Sequence, residues 1–307
     1  MPAVQNMFPA LGTLNTVTLY DTADTRPTDE VRDFIVHLDR TLSVFRPDSE
    51  LSRLNALRGG RWTEVGEDTF AIFRESIRCS RLSGGAFDVT AGPLSALWRE
   101  AIRTRQLPSK KMIRKARNLV GYQSLKLDEA RRRVCLRKTG QRVDFGGIAK
   151  GYAADKAAGM LRAAGVRNAV INLGGTVGVV GPEQRIGIQD PFRPTGEALG
   201  TLTLRDAFAV TSGSYERGFT SGGIRRHHII DPRTGEPSRS GLASVTLIGT
   251  RAAELDALAT AVFILGAEAS VPLLQSRQIE AVFVTETGSV FVTPGLRPSF
   301  QILQKGA

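Results

Sequence analysis

Residues 144–151 read Asp-Phe-Gly-Gly-Ile-Ala-Lys-Gly, directly after an apolar strand end at Val143 and at the head of an alanine-rich run. A glycine pair at the entry and Gly165 at the exit predict a helix over 149–164. Residues 168–173 then form an apolar strand that stops at Gly174-Gly175. Upstream, Val31, Phe34, Ile35, Leu38 and Leu42 recur at helical spacing and predict an amphipathic helix over 29–43, with His37 off the stripe and exposed. Phe70, Phe73 and Ile77 mark another helix that ends at Gly84-Gly85, after which 86–89 are extended or looped. Downstream, 201–204 and 242–248 read as strands, 252–265 as a helix, and 281–292 as a hairpin around Glu286-Thr287-Gly288. Helices and strands alternate without a regular βαβ period. The expected fold is therefore mixed α/β, with largely antiparallel sheet packed by helices.

The 307 residues hold 41 Lys and Arg against 30 Asp and Glu, a formal charge of +11. The excess is local: between Arg99 and Arg142 stand fifteen basic residues and three acids, Glu100, Asp128 and Glu129. Arg131, Arg132 and Arg133 fall in an expected hairpin with Val134 and Leu136, and the segment has little aromatic interleaving. It reads as a solvated face, and no nucleic-acid partner is expected. Cys79 and Cys135 have neither metal-ligand nor redox-motif spacing, so a reducing compartment is the simpler inference. No Lys or Arg precedes Arg26, no early cysteine is available for a lipid, and no apolar run approaches the roughly 20 residues of a membrane span. A cytoplasmic protein is expected.

Two of the three histidines stand side by side in Arg225-Arg226-His227-His228-Ile229-Ile230, ahead of the turn Asp231-Pro232-Arg233-Thr234-Gly235. Consecutive residues on an extended segment point to opposite faces, so His227 and His228 are expected to do different jobs, one facing a pocket and one solvent. Histidine suits general acid/base work near neutral pH, while the alternative is a strand-end histidine bound to a backbone carbonyl. In 144–151 the glycines allow close backbone approach to a ligand, a helix N-terminus favours anions, and Lys150 adds a positive charge. Neither the dinucleotide fingerprint nor the Walker pattern is present. Asp256 and Thr260, four apart on a helix, share one face and together suit a hard cation such as magnesium, although a surface hydrogen bond would place them equally well. Thr211-Ser212-Gly213-Ser214-Tyr215-Glu216-Arg217 lacks a nucleophile-elbow motif and reads as a polar binding loop.

Together these stretches resemble the FAD:protein FMN transferase family, also called ApbE, over nearly the whole chain. Leu11-Gly12-Thr13 is similar to the family's opening motif, with leucine in place of the usual methionine. Ser43-Val44-Phe45-Arg46-Pro47-Asp48-Ser49-Glu50-Leu51-Ser52-Arg53-Leu54-Asn55 resembles its second block, with Phe45 where many members have tyrosine, and Gly85-Ala86-Phe87-Asp88 its third. The segments 144–155, 172–175, 211–217, 228–235 and 256–260 follow in family order. The resemblance implies one domain over 1–307, open to division into two lobes with the site between them. It implies magnesium-dependent transfer of FMN from FAD to a threonine, or sometimes serine, of an acceptor protein, with release of AMP; FAD hydrolysis to FMN and AMP is the alternative at the same site. Under it, His228 is the catalytic histidine. Leu11, Phe45, Ala86, Phe87, Asp88, Asp144, Lys150, Tyr215 and Ile229 contact FAD. Asp256 and Thr260 ligate magnesium by their side chains, and Gly147 and Ala259 by backbone oxygens.

Overall fold

Ala169, Ile171 and Leu173 alternate with Val170 along one strand, and the two sets enter different apolar cores on opposite faces of a sheet. The computed structural model, which describes residues 3–57 and 59–303, repeats this division strand after strand. Phe208 and Val210 face one core and Ala209 the other; Ala281 and Phe283 face one and Val282 the other. A sheet covered on both faces needs apolar residues at consecutive positions, which is why its strands read as unbroken apolar runs.

The sheet has eight strands: β1 (Val4–Ala10), β2 (Thr13–Leu19), β6 (Ala169–Leu173), β7 (Thr176–Val180), β10 (Phe208–Gly213), β15 (Leu242–Gly249), β16 (Glu280–Thr285) and β17 (Val290–Val292). Their order in space is their order in the chain, and every neighbouring pair is antiparallel. The expected mixed architecture with antiparallel sheet is present. Small sheets join β3 (Trp62–Glu64) to β5 (Arg133–Leu136) and β4 (Leu125–Asp128), and β8 (Gln184–Gln189) to β9 (Ala198–Leu204) and β18 (Phe300–Ile302). Two hairpins, β11 (Gly218–Ser221) with β12 (Ile224–His227) and β13 (Ile230–Asp231) with β14 (Glu236–Pro237), lie between β10 and β15.

An antiparallel sheet in chain order puts alternate connections at the same end. The turns β1–β2 and β6–β7 and the long β10–β15 connection therefore share one end, where residues from distant parts of the sequence meet. The helices are α1 (Arg26–Leu42), α2 (Glu50–Ala56), α3 (Glu67–Leu82), α4 (Gly92–Thr104), α5 (Lys110–Arg117), α6 (Ala149–Ala163), α7 (Ala252–Leu265) and α8 (Ala267–Arg277). Residues of α1, α3, α6 and α7 fill the larger core. The helices expected over 149–164 and 252–265 match α6 and α7, and α1 begins three residues before the expected start at 29, with Pro27 in its first turn. Among the described residues no helix is long and apolar enough to cross a membrane.

Helix α7 is apolar nearly all round, the mark of a helix enclosed by protein. It is joined to α6 by polar bonds. Its N-terminal N–H groups have no side-chain cap of their own; Asp155 of α6 accepts from Ala252 N at 2.8 Å and Ala253 N at 2.9 Å. In return Gly151 N donates to Asp256 Oδ2 at 2.9 Å. The crossing is so close that a Cβ on Gly151 would lie 2.1 Å from the Ala252 carbonyl oxygen, whereas one on Gly159 of the same helix would meet nothing within 4 Å. Gly151→Ala is expected to destabilise by at least about 1–3 kcal/mol through overpacking, and Gly159→Ala to stabilise by about 0.5–1 kcal/mol. Urea unfolding of both variants checks the opposite signs.

Candidate active site

The β1–β2 turn holds Leu11 and Gly12 at φ 53° and 73°, a conformation that costs leucine strain but gives the tight hairpin its handedness. Buried Asn15 braces it by donating Nδ2–H to the carbonyls of Ala10 at 3.0 Å and Phe8 at 3.3 Å. The Arg217 guanidinium approaches the turn, since a Cβ on Gly12 would lie 3.7 Å from its Nη2. This contact brings the second hydroxyl-rich segment against the first motif of the chain.

The backbone carbonyl of Arg217 also faces His228, whose Nδ1 lies 3.4 Å from it. A carbonyl only accepts, so Nδ1 carries the proton and Nε2 keeps its lone pair. His227 has the opposite tautomer: Nε2–H donates to the Ser238 carbonyl at 3.1 Å, and Nδ1 accepts from Ile229 N at 3.3 Å. Its buried ring packs edge-on against Phe263 of α7. The two histidines do face opposite ways, but the face away from the site is protein interior rather than solvent. His227 has both nitrogens engaged and orients the backbone of Ile229, which is itself buried. His228 is half-buried with one nitrogen free. Burial pushes both rings down to about 4, and for His228 the Arg217, Lys150 and Arg225 charges act in the same direction. His228 is therefore neutral near pH 7 and able to take a proton.

The Asp231–Gly235 turn forms as its residues predict: Gly235 N donates to the Asp231 carbonyl at 2.8 Å, Gly235 has φ 78°, and the Asp231 carboxylate holds the Arg233 guanidinium. Trp98 of α4 anchors it by donating Nε1–H to the Gly235 carbonyl at 2.8 Å.

The loop 144–148 leads into α6. Asp144 Oδ1 accepts from Gly146 N at 2.9 Å, and its Oδ2 lies 3.2 Å from Arg99 Nη2. Asn55 pairs reciprocally with the backbone of Val143, accepting at 2.8 Å and donating at 2.9 Å. A Cβ on Gly147 would sit 3.1 Å from Thr260 Oγ1 and 3.3 Å from the Phe87 ring, so these three residues form one contact group. Asp256, one turn from Thr260, is 3% exposed. Its Oδ2 is held by Gly151, while its Oδ1 has only the Lys150 ammonium near it, at 4.0 Å. Lys150 also reaches the Gly146 carbonyl at 3.5 Å.

Other expected residues have different surroundings. Asp88 is buried and its carboxylate is spent on the loop itself, accepting from Thr90 N and Oγ1 and from Tyr122 N. Ala86 beside it is buried, as is Ala259 inside α7. Phe45 is 69% exposed, with the Arg99 guanidinium 4.5 Å above its ring. Next to that pair opens a cleft of about 300 Å³ lined by Val44, Asn55, Gly92, Arg99, Val143 and Asp144. Tyr215 packs over Gly213, and burial raises its phenol to about 12, so it remains a hydrogen-bond donor at neutral pH. Sequence reasoning gave no role to Arg99 or to the Arg217 backbone. Arg99 was one of many basic residues in its stretch, and a carbonyl leaves no trace in composition.

Lys150 links these parts, lying 4.0 Å from the buried Asp256 carboxylate and acting by its charge on the neutral His228. The model of the ApbE family matches residues 11–283. The chain is 36% identical to the FAD:protein FMN transferase of Klebsiella pneumoniae (strain 342) over 86% of its own length and 84% of that protein. It is 31% identical to that of Treponema pallidum (strain Nichols), over 90% and 81%. Among solved structures it superposes on the ApbE protein of Thermotoga maritima with a TM-score of 0.88 at 29% identity, covering 97% of this chain and 99% of the other. The flavinyl transferase ApbE of Pseudomonas stutzeri gives 0.84 at 29% identity, covering 97% and 96%. The chain belongs to the ApbE family. It is an enzyme, of the kind whose curated members are FAD:protein FMN transferases.

Both site histidines titrate near 4 in the folded chain against an ordinary value of 6.5. The unfolded chain thus binds more protons in this window, and stability present at pH 7 is lost as pH falls from 6.5 toward 4. Ring resonances in an NMR titration are expected to show both low midpoints, with unfolding midpoints in urea falling over the same range. An ordinary midpoint for His228 would remove its neutral-base assignment.

Proposed function

We propose that this enzyme transfers FMN from FAD to the hydroxyl of a threonine or serine on an acceptor protein, with magnesium, releasing AMP. The observation that carries the reading is His228: a neutral ring with its tautomer set by the Arg217 carbonyl, leaving Nε2 open beside Lys150. Nε2 takes the proton from the acceptor hydroxyl as its oxygen attacks the FMN-side phosphorus of FAD. One oxygen–phosphorus bond forms, the bond to the AMP phosphate breaks, and AMP departs with the electron pair.

Among the described residues no group of three or more His, Cys, Asp or Glu is placed to hold a metal. A hard cation here would rest on fewer charged ligands and on neutral oxygens, a set that suits magnesium shared with substrate phosphates. The buried Asp256 carboxylate fits that demand, since among the described residues its Oδ1 accepts no hydrogen bond and Thr260 stands one turn away on the same helix. Asp256 and Thr260 would hold the ion by their side chains, with the backbone oxygens of Gly147 and Ala259. The ion would offset charge growing on the phosphate oxygens. Lys150 adds a second positive charge at that point, and the Gly146-Gly147 loop lets the backbone come close to the pyrophosphate.

Phe87 and Ala86 would border FAD on one side of the loop. Leu11, Tyr215 and Ile229 would line the flavin with apolar surface and one phenol donor. Phe45, Arg99 and Asp144 would close the cleft beside them. Asp88 would act through the shape of its loop, because its carboxylate is already bonded. His227 would position the backbone at Ile229 and take no part in proton transfer.

His228→Asn is expected to lower AMP release and acceptor labelling by at least about 100-fold, the usual worth of a general base. Asp256→Asn and chelation of magnesium are expected to do the same, with restoration by added magnesium only after chelation. The assay is AMP release from FAD together with intact mass of a threonine-bearing acceptor. Unimpaired activity in both variants would overturn the site, and AMP with free FMN but unlabelled acceptor would make the enzyme a hydrolase.

A further inference from the structure

Helix α5 carries Lys110, Lys111, Arg114, Lys115 and Arg117 among its eight residues, with no acid in it. All five are exposed, and among the described residues none lies within an ion pair with a carboxylate. Lys110 and Arg114, and Lys111 and Lys115, stand four apart, where like charges repel. Arg114, Lys115 and Arg117 at least favour the negative end of the helix dipole, but Lys110 and Lys111 sit in the first turn, against it. Among the described residues no carboxylate offsets this arrangement. Elsewhere in the segment Arg99, Arg103 and Arg133 pair with Asp144, Glu100 and Asp128, and the remaining unpaired basic residues are spread over turns and short strands rather than gathered on one helix.

The helix is also fastened to the loop that presents His228. Ala116 lies in one small apolar core with Leu94, Trp98, Phe219 and Ile230, the last two from the hairpins on either side of the histidines. Ile113 reaches Gly235, where a Cβ would lie 2.8 Å from its methyl group, and Arg117 Nη1 donates to the Arg233 carbonyl at 3.3 Å. Ile113 and Ala116 of α5 are thus turned into the protein, leaving an exposed side that carries the five basic residues with Met112 as its single large apolar side chain. A membrane surface would want apolar residues there. A nucleic acid would want aromatic side chains for stacking, and between Arg99 and Arg142 the only aromatic residue is Tyr122.

We propose that α5 is the docking surface for an acidic segment of the acceptor protein, flanking the hydroxyl that is modified. This rests on the transfer reading for the identity of the partner. A segment rich in Asp and Glu laid along α5 would satisfy the unpaired ammonium and guanidinium groups and lead its neighbouring residues toward the His228 loop. Docking of this kind acts mainly on encounter and is weakened by salt.

The test uses the full chain and a variant, Lys110→Gln with Lys111→Gln, Arg114→Gln and Lys115→Gln, which keeps good helix formers and removes repulsion. Two labelled peptides each carry one threonine, one with six flanking Asp and Glu and one with Asn and Gln in their place. Fluorescence anisotropy is expected to show the acidic peptide binding about tenfold more tightly than the neutral one, the sum of several modest exposed pairs. That preference is expected to vanish in the variant and in high salt, while the affinity for FAD stays unchanged. Equal binding of the two peptides, or an undiminished preference in the variant, would overturn the proposal. So would a single-stranded oligonucleotide of equal charge that binds more tightly than the acidic peptide. Because anisotropy needs no turnover, an enzyme that fails to release AMP would count against the transfer reading alone.

Discussion

The crossing of α6 and α7 is the constraint from which the site follows. Gly151 lets the two backbones touch, Asp155 caps α7 from outside it, and Gly151 N–H holds one oxygen of Asp256. Each of these requires the others: without the close approach the cap would not reach, and without the cap the buried first turn of α7 would lose two partners. The same bond that locks the helices leaves the second oxygen of Asp256 facing Lys150 and the glycine loop. A structural contact thereby sets the direction of the carboxylate proposed to hold the metal ion.

The paired histidines divide their work by tautomer. Adjacent residues share the same chemistry, yet the carbonyl each one meets decides which nitrogen keeps its proton. His227 meets Ser238 and Ile229 and is finished as a hydrogen-bonding group; His228 meets only Arg217 and retains a free lone pair. The antiparallel order of the sheet explains how the Arg217 segment, the β1–β2 turn and the His228 loop reach a single place, because alternate connections of such a sheet must lie at one end.

Some of this was legible beforehand. Apolar periodicity located α1 to within three residues, alanine content and flanking glycines located α6 and the apolar run after Arg251 located α7 nearly to the residue, and the turn residues Asp231 to Gly235 specified the loop after the histidines. Helix α5 inside the basic stretch, and α4 which runs into it at Arg99, went unread because few apolar positions, Leu94, Trp98, Ile113 and Ala116 among them, pack inward. Strands β1 and β2 went unread because their burial is uneven and one side of β1 is open. Asp88 shows the limit of a motif: its position pointed to ligand contact, while its carboxylate is bonded to Thr90 and Tyr122.

By itself, the sequence determined the class of fold, the glycine-rich helix entry, the Asp256–Thr260 face and the family to which they belong, because these depend on local spacing and on motifs in a set order. Only the tertiary structure decided which histidine has a free nitrogen, that Arg217 supplies the carbonyl which frees it, and that the basic helix α5 is fastened to the His228 loop. Those outcomes depend on contacts between residues far apart in the chain, whose distances and directions no local pattern encodes.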